Sequence, residues 1–315
     1  MLTVRKLFVL QLQLIRKICV TSSRKMSDWE KEKSRYLNMP IDEKRKHYKC
    51  GDDYETLSNI PNWSEYVTTD EGKKKLATAS TAVTSSDDEE SHDKSEDGED
   101  AATDQTKSDV ETYTKNDKFN EKISIFTGDI TCLEIDAIVN AANSALKCGG
   151  GVDRAIHKAA DRSLLQEECE FLDGCDTGDA KITGGYKLPA KYVIHTVGPR
   201  GTKPVLLGNC YRKSMDLLKE HELESIAFPC ISTGIYGYPN EKAAEVALKT
   251  IRKWLEENEY SSDVKRIIFC LFLQRDVKIY HKLLPIYFPI GRFDFLAEAS
   301  LTLRLIGLAA FFLVG

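Results

Sequence analysis

No two of the nine cysteines stand in a CxxC pair. An odd number without that spacing offers neither a disulfide framework nor a zinc ribbon, so the thiols read as reduced and the compartment as intracellular. The glycine-rich stretches match neither GxGxxG nor GxxxxGK(S/T), which disfavours a nicotinamide dehydrogenase and a P-loop nucleotidase. A stripe of basic residues interleaved with aromatics, which a nucleic-acid surface would want, is missing. Long apolar runs are missing too: Leu305 to Val314 is strongly apolar but meets Arg304 and Glu298 when extended backwards, short of the roughly 20 residues of a span. No membrane association is expected.

What is present is unevenly spread over 315 residues. The net charge is −5, yet the first 27 residues carry six Lys or Arg and no acid, while Ser86 to Asp100 holds nine acids and one Lys. Residues 1–25 have the composition of a mitochondrial targeting peptide; translation from Met26 would drop them and leave a cytosolic or nuclear product. Residues 27–67 read as a charged helical extension anchored by Trp29, Tyr36, Leu37 and Tyr48. Residues 68–118 hold almost no large apolar side chains and read as a disordered acidic linker. The apolar tail, 289–315, has no assigned role.

From residue 119 to 288 the pattern changes. ISIF (123–126), AIVNA (137–141), YVIHTV (192–197), SIAFPC (225–230) and RIIFCLF (266–272) read as buried strands, short and bounded by Gly, Pro or charge. The stretches between them repeat apolar residues at helical spacing, which predicts an α/β fold, a three-layer α/β/α sandwich around a central sheet. Ligands of such sheets bind beyond the carboxyl ends of the strands. Two glycine-bearing loops lie there: KCGGGVD after 137–141 and ISTGIYGYPN after 225–230.

Gly149, Gly150, Gly151 and Val152 offer bare amides ahead of a helix, a surface for a phosphate or a polarised carbonyl. Ser232, Thr233, Gly234, Ile235 and Gly237 offer a second set, with Tyr236 among them. Asp153 falls in the first turn of the helix after the glycines, where the helix dipole favours a carboxylate able to order a water. His157, four residues on, shares its face. Asn143 can donate and accept, as a sugar hydroxyl requires. Asp129 offers only acceptors, suited to an adenine amino group or to stabilising its own turn.

GDIT (128–131), IVNAANSAL (138–146), GGGVDRAIH (150–157 with its leading glycine), GCDTGDAKIT (174–183), YVIHTVGP (192–199) and ISTGIYGYPNEKAA (231–244) together resemble a macrodomain of the MacroD type. The resemblance implies a mixed central sheet, an ADP-ribose pocket, and hydrolysis of mono-ADP-ribose from protein carboxylates; similar proteins also deacetylate O-acetyl-ADP-ribose. It places Asp129 and Ile130 at the adenine with Phe272 near its ring, and the two glycine loops, Gly149 to Val152 and Ser232 to Tyr236, on the diphosphate. Asn140 and Asn143 would hold ribose, Asp153 would prepare the attacking water, and His157 would support that geometry. It implies neither cofactor nor metal, because the ester has a good leaving group and the amides stabilise charge. ADP-ribosylated proteins are the expected partners, ADP-ribosylated nucleic-acid ends stay open as substrates, and a monomer is expected. A non-catalytic ADP-ribose reader is the alternative, against which Asp153 and the glycine loop stand.

Overall fold

The computed structural model describes residues 26–81 and 112–291. The expected leader, residues 82–111 of the acidic segment and most of the apolar tail lie outside the described residues. The described residues begin with α1 (Asp28–Leu37), α2 (Ile41–Arg45), β1 (Glu55–Thr56), α3 (Trp63–Tyr66) and α4 (Asp70–Thr81). There follow α5 (Asp117–Asn120), β2 (Ile123–Phe126), β3 (Leu133–Glu134), β4 (Ala137–Ala141), α6 (Gly151–Ala160), α7 (Arg162–Phe171) and β5 (Ala180–Gly184). The last elements are β6 (Tyr192–Thr196), α8 (Pro204–Glu220), β7 (Ser225–Phe228), α9 (Asn240–Glu257), β8 (Arg266–Cys270) and α10 (Gln274–Tyr287).

Six strands pair in the order β2, β8, β7, β4, β6, β5, all parallel except β5, which runs antiparallel to β6 at the edge. The period-2 alternation of each strand divides its side chains between two cores. Ile123, Ile125, Val139, Ile226, Phe228, Ile267 and Phe269 pack with α8, α9 and α10. Ile138, Val193, Ala227 and Ile268 face the other way, against Ile156 of α6 and Leu165 of α7. The helices therefore lie in two layers, as the sequence pattern predicts.

The N-terminal extension is deeper than its charged surface suggests. Asn62 caps α3: its Oδ1 accepts from Glu65 N at 3.0 Å, while Glu65 Oε2 accepts from Asn62 N at 2.9 Å. That cap delivers Trp63 into the core at 0 % exposure, with Nε1 donating to Phe288 O at 3.0 Å. β1 pairs in parallel with β3, and the Arg45 fork donates to both oxygens of Glu134, at 2.9 and 2.8 Å.

One expected boundary is corrected. Residues 70–81, assigned above to the start of a disordered linker, form α4. Leu76 supplies the apolar anchor, packing partly buried against the core, and Thr69 Oγ1 accepts from Gly72 N at 3.0 Å at the helix start. Among the described residues no helix is long and apolar enough to cross a membrane.

Candidate active site

A cavity of about 770 Å³ opens beyond the carboxyl ends of β2, β4, β6, β7 and β8. Its wall includes Asp129, Ile130, Asn143, the run from Gly149 to Asp153, the run from Ser232 to Tyr236, and Phe272. Most of the residues singled out from the sequence are thus gathered at one place.

At one end Asp129 caps the single 3₁₀ turn Ile130–Cys132, its Oδ1 accepting from Thr131 N at 2.9 Å and from Thr131 Oγ1 at 2.8 Å. One oxygen stabilises the turn, as one reading expects, and the exposed carboxylate lines the cavity. Phe272 lines the same cavity and is 75 % exposed, an uncommon solvent contact for a large apolar ring and a platform for a flat ligand.

The glycine loop enters α6 through Gly150, the N-cap, and Gly151 at φ +58, where a side chain would be strained. At Gly149 a Cβ would come within 3.1 Å of Asp153 Oδ2, a tight contact that would press on the carboxylate. The Gly149 N–H donates to that same oxygen. Across the cavity Ser232 sits at φ +67 with its buried Oγ unpartnered, a strained backbone of the kind found where a loop is shaped for a ligand. Gly198 must yield to it: a Cβ there would fall 2.0 Å from Ser232 Oγ.

Asp153 is 3 % exposed, and its Oδ1 accepts from Asn140 Nδ2 at 2.6 Å. This corrects the expectation for Asn140, which is fully buried and absent from the cavity wall. Lying inside β4, it faces inward and holds Asp153 rather than ribose. His157 likewise stands behind the wall; its Nε2 is 3.4 Å from Asp153 Oδ1, and neither ring nitrogen makes a hydrogen bond. Asn143 does reach the cavity, though its Nδ2 already donates to Lys147 O at 2.5 Å, so one N–H remains for a ligand.

Sequence reasoning missed four members. Arg200 lines the mouth with its guanidinium 4.7 Å over the Tyr236 ring, and the next residue, Gly201, donates its N–H to Tyr236 O at 2.8 Å. Asp276, buried in the first turn of α10, accepts from Asn240 Nδ2 at 2.5 Å. Thr183 and His195 lie behind Asn140; His195 Nδ1 is 3.1 Å from Asn140 Nδ2, and its Nε2 is 2.9 Å from Thr183 Oγ1. Only their positions inside strands hinted at this, because the pairing joins β4 to β6 across 55 residues.

His157, Cys169 and His195 bring three potential metal-ligand atoms within 4.8 Å of one another, all buried. A tetrahedral zinc, with bonds of about 2.0–2.3 Å, sets neighbouring ligand atoms about 3.5 Å apart. His195 already has a hydrogen-bonding neighbour on each ring nitrogen, so the set is better explained as part of the network behind Asp153.

Burial keeps these rings neutral. It pushes the His195 pKa down to about 3, with His157 adding to the effect, and it lowers that of His157 against the pull of Asp153. His281, whose Nε2 lies 2.8 Å from Tyr66 OH, is lowered for the same reason. A group depressed in the fold below its unfolded value of about 6.5 contributes fully above that pH. The contribution is lost as pH falls from 6.5 toward the folded value. Calorimetry should therefore give a Tm that is level near pH 7–8 and declines between about pH 6.5 and 5, above the range in which carboxylates titrate. A Tm unchanged across that interval would contradict neutral burial of these rings.

The family model for the Macro domain matches residues 139–247. The mouse protein "ADP-ribose glycohydrolase MACROD1" is 45 % identical over 271 residues, spanning 84 % of this chain and 72 % of that one. The human protein "ADP-ribose glycohydrolase MACROD2" is 46 % identical over 275 residues, spanning 85 % of this chain and 56 % of that one. Among solved structures, the Trypanosoma brucei macrodomain in complex with ADP-ribose superposes with a TM-score of 0.55 at 30 % identity, covering 83 % of this chain and 92 % of that one. With its mixed six-stranded sheet and its cavity between two glycine-bearing loops, the chain belongs to the macrodomain family, alongside the MACROD proteins.

Proposed function

We propose that this chain binds ADP-ribose and hydrolyses the ester joining mono-ADP-ribose to Asp and Glu side chains of modified proteins. The observation that carries this is Asp153: a buried carboxylate on the cavity wall, fixed from both sides by Gly149 N–H and Asn140 Nδ2. A module that only bound its ligand would have no need of it. The printed activities of the mouse and human relatives, and the ligand of the trypanosomal structure, support the same reading.

In this reading adenine lies between Asp129 and Phe272, and the diphosphate lies between the amides of 150–152 and 232–236, the Gly149 N–H being taken by Asp153. The distal ribose then reaches Asn143, Tyr236 and Asp153. Asp153 orients a water and takes its proton, with a substrate phosphate oxygen as a second acceptor, while the water oxygen bonds to the anomeric carbon. The bond from that carbon to the protein carboxylate breaks, and the carboxylate leaves with the electron pair. Amides aimed at the diphosphate are fixed before the reaction and need no reorganisation during it. The same water directed at an acetyl group on the distal ribose would deacetylate O-acetyl-ADP-ribose.

The test is calorimetric titration of the full chain with ADP-ribose, run beside release of ADP-ribose from a glutamate-modified protein. Binding with turnover is the expected result; binding without turnover would make the chain a reader, and neither would overturn the reading entirely. Phe272→Ala is expected to weaken ADP-ribose binding about tenfold, since stacking on a base contributes roughly 1–3 kcal/mol. The ring is already in solvent, so Tm should hold. An unchanged Kd would remove Phe272 from the adenine site.

A further inference from the structure

The hydrogen bond that holds Asp153 depends on which way Asn140 points. Its Nδ2 faces two acceptors, Asp153 Oδ1 at 2.6 Å and His195 Nδ1 at 3.1 Å, and its Oδ1 is buried with no partner. A buried carbonyl left unpaired is costly, and turning the amide over would seem the remedy. That turn would aim the carbonyl at a carboxylate oxygen, two acceptors in contact, and would put a second acceptor against the His195 lone pair. The orientation is thus set by what lies behind Asn140 as much as by Asp153.

What lies behind is His195 in one tautomer. Thr183 Oγ1 lies 2.9 Å from His195 Nε2, nearer than Gly184 O at 3.3 Å or Val193 O at 3.5 Å, so its hydroxyl alone would suit either tautomer. The Asn140 amide selects between them: with Nδ2 turned toward Asp153 it also faces His195 Nδ1, which must then carry the lone pair, and the Nε2 proton is donated to Thr183 Oγ1. With the proton on Nε2, Nδ1 carries a lone pair and accepts from Asn140. Cys169 Sγ, 3.9 Å from the same Nε2, is a weak neighbour compatible with that assignment.

We propose that His195 is a positioning residue for the hydrolysis: as the Nε2–H tautomer, with Thr183 accepting that proton, it holds Asn140 so that the amide donates to Asp153. The inference rests on the hydrolase reading above. His195 is fully buried and lies outside the cavity wall, so it acts through its neighbours: Asn140 is hydrogen-bonded to Asp153, whereas His157, whose ring packs 6.2 Å away, makes no hydrogen bond. Its consequence is geometric. Asp153 is gripped at Oδ1 by Asn140 and at Oδ2 by Gly149 N–H, which fixes the plane of the carboxylate and therefore the place of the water. Release of one grip lets the plane turn, and misplacement of a reacting group by an ångström costs on the order of a hundredfold in rate.

The experiment compares the full chain with His195→Leu, His195→Asn and Thr183→Val for kcat, KM and ADP-ribose Kd, together with nitrogen NMR of the imidazoles. His195→Leu should lower kcat by roughly 30- to 100-fold while KM and Kd stay within about twofold. In His195→Asn the side-chain oxygen stands near the place of Nδ1 and accepts from Asn140, so kcat should return to within about fivefold of wild type. Thr183→Val should lower kcat a few-fold and admit the Nδ1–H tautomer. A role in packing alone would move Tm in both His195 variants and spare kcat. The proposal is overturned by full kcat in His195→Leu, by an Asn variant no better than Leu, or by Nδ1–H as the wild-type tautomer. Should His195→Leu fail to fold, Thr183→Val and the wild-type tautomer decide. Absence of wild-type turnover strikes the hydrolase reading itself, whereas variants that keep the wild-type rate strike this proposal alone.

Discussion

Asp153→Ala is expected to lower ester hydrolysis about 10³-fold while ADP-ribose affinity stays within about threefold. The rate falls because the group that accepts the water's proton is gone. Affinity holds for a reason visible in the loop: Gly149 N–H now donates to Asp153 Oδ2, and in the variant it is released toward a ligand phosphate. The carboxylate that disappears also stood among groups expected to hold an anion, so its removal does not penalise the diphosphate. A kinetic comparison beside a titration checks both halves. Full turnover in the variant would remove Asp153 from the chemistry even with the pocket intact, and joint loss of turnover and binding would make it a structural residue.

Trp63→Ala should cost roughly 3–5 kcal/mol of stability, the range for deleting a large buried aromatic. The ring has no exposed surface, stacks on Tyr66 with centroids 5.9 Å apart and an interplanar angle of 16°, and pays for its indole N–H with a bond to Phe288 O. It belongs to the same apolar cluster as Ile123, Ile267 and Leu284, so the cavity left behind would sit at the join between the extension and α10. For a described region of this size the loss corresponds to a fall in Tm of about 10 °C, readable by calorimetry. A shift of only a degree or two would mean that the extension merely rests on the domain.

That depth is what the sequence concealed. The five expected strands reappear within two residues of their predicted ends, because each is a short run of large or β-branched apolar residues bounded by loops. β5 shows in the sequence only as the motif AKIT following GD: it is the antiparallel edge strand, and its first three residues are only partly buried, so no apolar run announces it. The extension has the pattern of charged surface helices, and Lys31 and Arg35 do pair locally with Asp28 and Glu32, yet Arg45 meets Glu134 and Lys33 meets Glu168 across 89 and 135 residues. Distances of that kind are set by topology, and no local pattern carries them.

The site divides in the same way. Residues whose work is done by backbone, such as Gly149 to Gly151, stand out in a sequence because flexibility and bareness are properties of glycine itself, whereas the strain at Ser232 shows only in the fold. Asn140 and Asn143 look equivalent in NAAN, but β4 ends between them: one is directed into the layer against His195, and the other is left at the cavity. Which polar side chain meets the ligand and which supports its neighbour depends on where the strand stops and on what β6 places opposite.

The central claim is that Asp153 delivers water to the anomeric carbon and that the protein carboxylate leaves. The most direct test is hydrolysis of a glutamate-modified peptide by the full chain in water enriched in oxygen-18, followed by mass spectrometry of the released peptide. The account predicts release of ADP-ribose with a peptide carboxylate free of the heavy isotope. One heavy oxygen in that carboxylate would show attack at the acyl carbon, and would contradict it.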